Sequence, residues 1–459
     1  MAGELPSDPT WNPTSQLETT VTPRILRRSR RESRPAPERA VLGVLTLGLG
    51  LLSLTGCDGA DRVPALGEVT AAPSPAPEGS GEPNLSVDEE GRVHLTWFER
   101  LDGGEDHALR FAVLDPNSER WSAPRTIVEG LDFFVNWADF PSMLPLPGGD
   151  LVAHWLQRSG PGTFHYDVVL SWSGDGGESW SPGILPHRDG TLSEHGFVTL
   201  LPWEGGGLGA VWLDGRKYES QPDDPEMTLR FTTLGPDATP EALGPEVLLD
   251  DRVCDCCQTS AARTRDGVVV VYRDRSPEEV RDISIVRLED GVWSDPAPVH
   301  EDGWTIPACP VNGPMVAAEG RNVAVAWFTA EGDRPRVKVA FSEDGGRTFD
   351  APIRVDDGDP AGRVALVLLD PTEPGESEDV LVSWLERTEG AAEVRVRRVT
   401  AAGERSDART VAVSTEARAS GFPRMVRGGD RLVFAWTETG DPSGASSRVR
   451  VATAAVPGS

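Results

Sequence analysis

One pattern recurs seven times along this chain. An apolar, β-forming strand ends on an aromatic residue, and polar residues follow at once. It reads HLTWFER around Trp97, AHWLQR around Trp155, AVWLDGR around Trp212, VVYRDR around Tyr272, AVAWFTA around Trp327, VSWLER around Trp384 and FAWTET around Trp436. The markers stand 58, 57, 60, 55, 57 and 52 residues apart. Between them run short alternating segments bounded by Gly, Pro, Asp and Asn, and no 3.6-residue period is sustained. Even spacing in this range, with room for four strands per unit, predicts an all-β chain folded as a β-propeller of seven four-stranded blades, or six if one unit is degenerate. The seventh unit stops after SRVRVATAAV, one strand short. Arg62 to Val69 is expected to supply that strand from the N-terminal side, closing the ring so that no sheet edge stays open.

The residues before the repeats carry a different message. Seven Arg fall between positions 24 and 39, and an uncharged apolar run follows from Ala40 to Leu54. That run is shorter than the roughly 20 residues a membrane-spanning helix needs and suits a signal peptide. It ends in Leu54-Thr55-Gly56-Cys57, which resembles a bacterial lipobox. The resemblance implies that residues 1–56 are a signal peptide and that Cys57 is diacylated. The protein would then be exported and held at the cell envelope by this lipid alone, on its periplasmic or outer surface. Residues 57–83, rich in Pro, Gly, Ala and Ser, read as a tether, and 84–459 as the propeller. The formal net charge of −29 leaves no basic excess to displace counterions and excludes nucleic acid as a partner.

Two turns suggest a superfamily. Ser173-x-Asp175-x-Gly177-x-Ser179-Trp180 and Ser342-x-Asp344-x-Gly346-x-Thr348-Phe349 resemble the Asp-box, or BNR repeat, of sialidases. Ser and Asp oxygens can bond turn amides, Gly admits positive φ, and the aromatic wedges between sheets. The role of these residues is structural. In a four-stranded blade the B–C and D–A loops share one face and the Asp-box turns lie on the other. On the first face the pattern collects Arg100, Arg158, Arg216, Arg273, Arg275 and Arg387 from B–C loops, and Arg418 and Arg424 from D–A loops. Guanidinium forks suit carboxylates and phosphates. Arg100, Arg158, Arg216, Arg273, Arg275, Arg387 and Arg424 are therefore the expected ligand-binding set, with ion pairing to neighbours such as Glu99, Asp274 or Glu386 as the alternative.

Sialidases hold the substrate carboxylate with three Arg and use a Tyr nucleophile assisted by Glu, with an Asp acid/base. The resemblance carries these roles to Asp139 as acid/base and to a Tyr218–Glu194 pair. The usual Arg-Ile-Pro motif is missing, Phe422-Pro423-Arg424 is not its equivalent, Tyr272 reads as core, and Tyr166 is ambiguous. With Cys57 acylated, Cys254, Cys256, Cys257 and Cys309 remain, an even number. Disulfides are expected in an oxidising compartment, with Cys309 joined to Cys254, Cys256 or Cys257 and a vicinal Cys256–Cys257 bond as another option. The alternative is a soft-metal site for Cu(I) or Zn(II) assisted by His195 or His300, although the paired C-x-x-C spacing of zinc sites is lacking. The resulting expectation is a propeller that binds an anionic or carbohydrate-containing ligand at an Arg-rich mouth. The alternatives are an exo-sialidase or other glycoside hydrolase, and a protein-interaction scaffold of the cell envelope.

Overall fold

The computed structural model describes residues 63–456 apart from 102, 103, 105, 131, 224, 237, 238, 371–377 and 441–445. Cys57, the Arg-rich stretch and the apolar run lie outside the described residues. Seven antiparallel sheets follow one another along the chain, one for each marker aromatic. Blade 1 holds Ser80–Val87, Val93–Arg100, His107–Asp115 and an outer strand broken into Arg120–Trp121 and Arg125–Glu129. Blade 2 holds Ser142–Pro145, Leu151–Arg158 and Tyr166–Ser173. Its expected fourth strand after Trp180 is reduced to a single bridge between Leu170 and Ile184. Blade 3 runs from His195–Pro202 to Val247–Val253, blade 4 from Ser260–Arg263 to Ala297–His300, blade 5 from Met315–Glu319 to Ile353–Arg354, and blade 6 from Pro360–Leu368 to Arg409–Ser414.

Blade 7 consists of Arg424–Gly428, Arg431–Thr439 and Ser447–Ala455, and its outer strand is Thr70–Ala72. Thr70 pairs with Thr453 and Ala72 with Val451. The ring is thus closed from the N-terminal side as the missing strand required, but by residues just beyond Arg62–Val69. Within the stretch read as tether, Leu66 and Ala76 are buried, and Ser80–Val87 is the innermost strand of blade 1. Its Gly and Pro content marks turns between packed pieces.

The marker aromatics explain why the repeat exists. Trp97, Trp212, Trp327, Trp384 and Tyr272 are at most 1% exposed. Each marker packs against the blade before its own: Trp155 against Phe98 and Phe111, Trp212 against Val168 and Leu170, Trp327 against Val269 and Ile285, Trp436 against Leu381 and Val396. Trp97 of blade 1 packs against Val433 and Val451 of blade 7, which seals the ring. Every interface therefore buries one large ring, worth roughly 1.5–3 kcal/mol in transfer terms.

Both Ser/Asp turns have the geometry their sequence asks for. Ser173 Oγ accepts the Gly177 amide at 2.8 Å, and Asp175 Oδ1 accepts the amides of Glu178 and Ser179 at 3.0 and 2.9 Å. Ser342 and Asp344 repeat this with Gly346, Arg347 and Thr348. Gly177 has φ of 88°, and a Cβ there would stand 2.3 Å from Phe111 of blade 1. Trp180 meets that same Phe111 edge to face.

Candidate functional site

The inner strands begin on the face that carries the B–C and D–A loops, and three of them begin with a bulge. Register slips between Gly81 and Asn84, Gly196 and Thr199, and Gly362 and Ala365. The residue in each bulge has positive φ: Glu82 at 50°, Phe197 at 53° and Arg363 at 55°. Non-glycine residues adopt this conformation only where surrounding bonds hold it. At Phe197 and Arg363 an oxygen from the preceding blade does so. Asp139 Oδ1 accepts the Phe197 amide at 2.8 Å, and Asn312 Oδ1 accepts the Arg363 amide at 2.7 Å. Gln258 Oε1 likewise accepts the Gly313 amide at 3.1 Å.

This places Asp139 in a clamp that two other blades build from a carboxamide. Burial, opposed by the Phe197 amide and reinforced by the Glu194 charge, holds its carboxyl well above the usual carboxylate range. Glu194 does meet a tyrosine, but the partner is Tyr166. The Tyr166 hydroxyl donates to Glu194 Oε1 at 2.5 Å, and its ring, 1% exposed, stacks on Phe134. Burial pushes Glu194 up to about 7 despite that hydrogen bond, with the Asp255 charge adding. The expected Tyr218–Glu194 pair does not form. Tyr218 is 44% exposed and donates to Asp255 Oδ1 at 2.5 Å.

The arginines divide sharply. Arg216 forks onto Asp214 and also meets Asp189 and Glu246. Arg275 pairs with Glu279 and Asp255, Arg387 with Glu416 and Asp359, and Arg158 with Asp132. Arg273 is buried on the carbonyls of Asn312, Arg281 and Phe328. Arg424 lies over the Phe140 ring beside an axial cavity of about 170 Å³, and burial lowers its pKa to about 10. These side chains do not converge on one point. Most are spent on carboxylates of the same acidic chain, the alternative weighed from the sequence.

Arg100 is the exception. It lines a cleft of about 310 Å³ between blades 7 and 1, together with Glu82, His107, Trp137, Arg418 and Thr437. Arg100 and Arg418 are exposed, and among the described residues neither has a carboxylate within 4 Å. Thr437 is 2% exposed, and its Oγ1 has no hydrogen-bond partner among the described residues. Glu82 is half-buried. Desolvation pushes it up to about 7 against the pull of Arg100, so its charge changes near neutrality. Trp137 forms one wall; its ring stacks on Phe422, with the Arg363 guanidinium 5.1 Å from its centroid. Arg363 itself donates to the carbonyls of Gly421, Glu416 and Ala417, which fixes the loop carrying Arg418. Sorting residues by loop already put Arg100 and Arg418 on one face. Glu82 was hidden in the stretch read as tether, and nothing in the sequence marks Thr437.

Histidine and cysteine form separate clusters. His187 and His195 stack 3.8 Å apart, and His195 contacts Asp189 at 3.2 Å and Asp167 at 3.5 Å. Those carboxylates overcome the effect of burial and raise His195 to about 10. His300 meets Asp302 at 2.8 Å. Neither histidine therefore joins the thiols. Cys256 is bonded to Cys309, and Cys254 lies beside Cys257; the vicinal bond does not form.

No family model matches the chain, and no curated protein matches it in sequence. Solved structures similar to it include a protein of unknown function from Dyadobacter fermentans, at 14% identity and a TM-score of 0.46 over 85% of this chain and 98% of that one. An α-L-arabinofuranosidase from Fusarium graminearum aligns at 13% identity and a TM-score of 0.46 over 82% and 93% of the two chains. The NanB sialidase of Streptococcus pneumoniae aligns at 12% and 0.42 over 85% and 70%.

Proposed function

We propose that the protein binds an anionic, carbohydrate-containing ligand in the cleft between blades 7 and 1, as an exported protein anchored through a diacylated Cys57. The observation that carries this reading is the pair Arg100 and Arg418. In a chain of net charge −29, two exposed guanidinium groups line one cavity, and neither has a described carboxylate within 4 Å. They suit the acid group of a sugar acid. Trp137 offers apolar surface to a sugar ring, and Thr437 Oγ1 is a polar group still in want of a partner. The volume falls at the lower end of small-molecule sites, enough for one acidic residue of a glycan.

Binding is favoured over turnover because glycoside hydrolysis ordinarily uses two carboxyl groups flanking the bond, or in sialidases a tyrosine nucleophile, and no tyrosine lines this cleft. Among the residues lining this cleft Glu82 is the one carboxyl, and neither Asp139 nor Glu194 reaches it. Titration calorimetry with N-acetylneuraminic and glucuronic acid glycosides tests the reading. Arg100→Ala and Arg418→Ala should each weaken binding roughly tenfold to a hundredfold. An affinity indifferent to both replacements removes the cleft from consideration.

Glu82 adds a pH dependence. Its carboxyl is neutral below about pH 7 and charged above it, so repulsion of an anionic ligand appears only on the alkaline side. Affinity should rise by roughly threefold to tenfold from pH 8 to pH 6. Arg100, His107 and Arg418 face the same cleft. Glu82→Gln is therefore the control: it should flatten the profile and hold the tighter value at pH 8.

A further inference from the structure

The four cysteines of the propeller gather at the passage from blade 3 to blade 5, in a graded arrangement. Strand Val247–Val253 ends, and Asp255 and Cys256 form a turn before Ser260–Arg263 begins. A four-residue turn brings its ends together, so Cys254 and Cys257, which span one C-x-x-C, meet with sulfurs 3.1 Å apart. Both are buried, at 0% and 1% exposure. Cys256, inside the turn, is bonded to Cys309. Cys256 is half-buried and Cys309 exposed. The sulfurs of Cys254, Cys256 and Cys257 all lie within 4.8 Å of one another. An inner dithiol thus sits against an outer disulfide that solvent reaches.

The charges around the inner pair favour thiolate chemistry over cation binding. Arg281 Nη1 donates to Cys254 Sγ at 3.3 Å, and the same guanidinium meets Asp255 and Glu279. Burial alone would raise Cys254, but the Cys257 hydrogen bond and the charges of Arg281 and Arg273 bring it down to about 7. Burial keeps Cys257 well above the ordinary thiol range. One sulfur is prepared as nucleophile and the other is held as a thiol.

We propose that these four sulfurs form a dithiol–disulfide exchange centre, in which the buried Cys254–Cys257 pair gains or loses two electrons through the exposed Cys256–Cys309 bond. In the forward sense the Cys254 thiolate attacks Cys256 Sγ. The Cys256–Cys309 bond breaks, and its electron pair leaves on Cys309, which takes up a proton. Cys257 loses its proton and attacks Cys254 Sγ of the new Cys254–Cys256 bond, and Cys256 departs as thiolate and is protonated. One disulfide has moved inward and two thiols outward, with no external oxidant. The outer dithiol can then reduce a disulfide of another molecule, protein or small, to two thiols while Cys256–Cys309 re-forms.

The test uses the full chain, fully reduced and then given one equivalent of oxidised glutathione. Thiols are alkylated at intervals and the disulfide-linked peptides quantified. The Cys256–Cys309 peptide should appear first. The Cys254–Cys257 peptide should then grow to at least about a tenth of the chains, while the number of thiols per chain stays constant. In the Cys256→Ser/Cys309→Ser variant, formation of the inner bond should slow at least about tenfold, because the oxidant must reach buried sulfur directly. Persistence of Cys256–Cys309 alone in the unmodified chain overturns the proposal. So does an inner bond that forms equally fast in the double variant.

Discussion

Replacing Arg273 with alanine should cost about 3–5 kcal/mol of stability, the penalty of removing one member of a buried polar network. The side chain is 1% exposed and carries a charge, yet it is satisfied entirely by carbonyl oxygens. Nε and Nη2 donate to Asn312 at 2.9 and 2.7 Å, Nη1 to Arg281 at 2.6 Å, and Nη2 also to Phe328 at 2.7 Å. The guanidinium lies 5.0 Å from the Trp304 ring centroid. Arg273 ends a strand of blade 4, Asn312 belongs to the loop between the two blades, and Phe328 to blade 5, so one side chain joins three segments. Truncation leaves three carbonyls facing a void. Arg273→Lys should recover less than half of the loss, since an ammonium cannot reproduce the planar fork. The urea midpoint at unchanged slope reads the effect. Protein that remains folded should bind acidic glycans as before. Unchanged stability with lost binding would return Arg273 to the ligand set.

That residue shows where sequence reading succeeds and where it stops. The blades were legible because each repeats one requirement, a large ring buried against the preceding sheet, and a requirement met seven times leaves a period. The Ser173 and Ser342 turns were legible because their bonds are local, made within a few residues of the turn itself. Arg273 and Arg100 look alike in sequence, each close behind a marker aromatic. One lies in a fully buried lattice of carbonyls and the other opens to solvent, and residues 39 and 55 positions away from Arg273 decide the difference. The Tyr166–Glu194 bond likewise depends on how blade 2 leans on blade 3, which no spacing within either blade records. Cysteine pairing was open for the same reason. The turn that joins Cys254 to Cys257 also points Cys256 toward Cys309, 53 residues on. Glu82 was lost because Gly and Pro flanking an inner strand have the composition of a linker.

The seam between blades 5 and 6 offers the clearest measure of what a marker aromatic contributes. Trp384 is 1% exposed and packs among Phe328, Val337, Val339 and Val355 of blade 5. Its Nε1 donates to Glu386 Oε2 at 2.6 Å, and the other oxygen of that buried carboxylate accepts the Asp359 amide at 2.8 Å. Trp384→Ala should therefore lose on two counts: about 3–5 kcal/mol for the cavity, and about 1–3 kcal/mol more for an oxygen left without its donor. Trp384→Phe keeps most of the volume and should show chiefly the second loss. Pairing Trp384→Phe with Glu386→Leu removes the donor and its acceptor together, but also strips the Asp359 amide of its partner, so recovery should be partial. Denaturant unfolding of the four proteins separates the contributions. If Trp384→Ala proves no worse than Trp384→Phe, the rings are not what binds one sheet to the next, and the seven-fold period needs another cause, which side-chain bonding cannot supply because the Nε1 groups of Trp97 and Trp155 have no partner among the described residues.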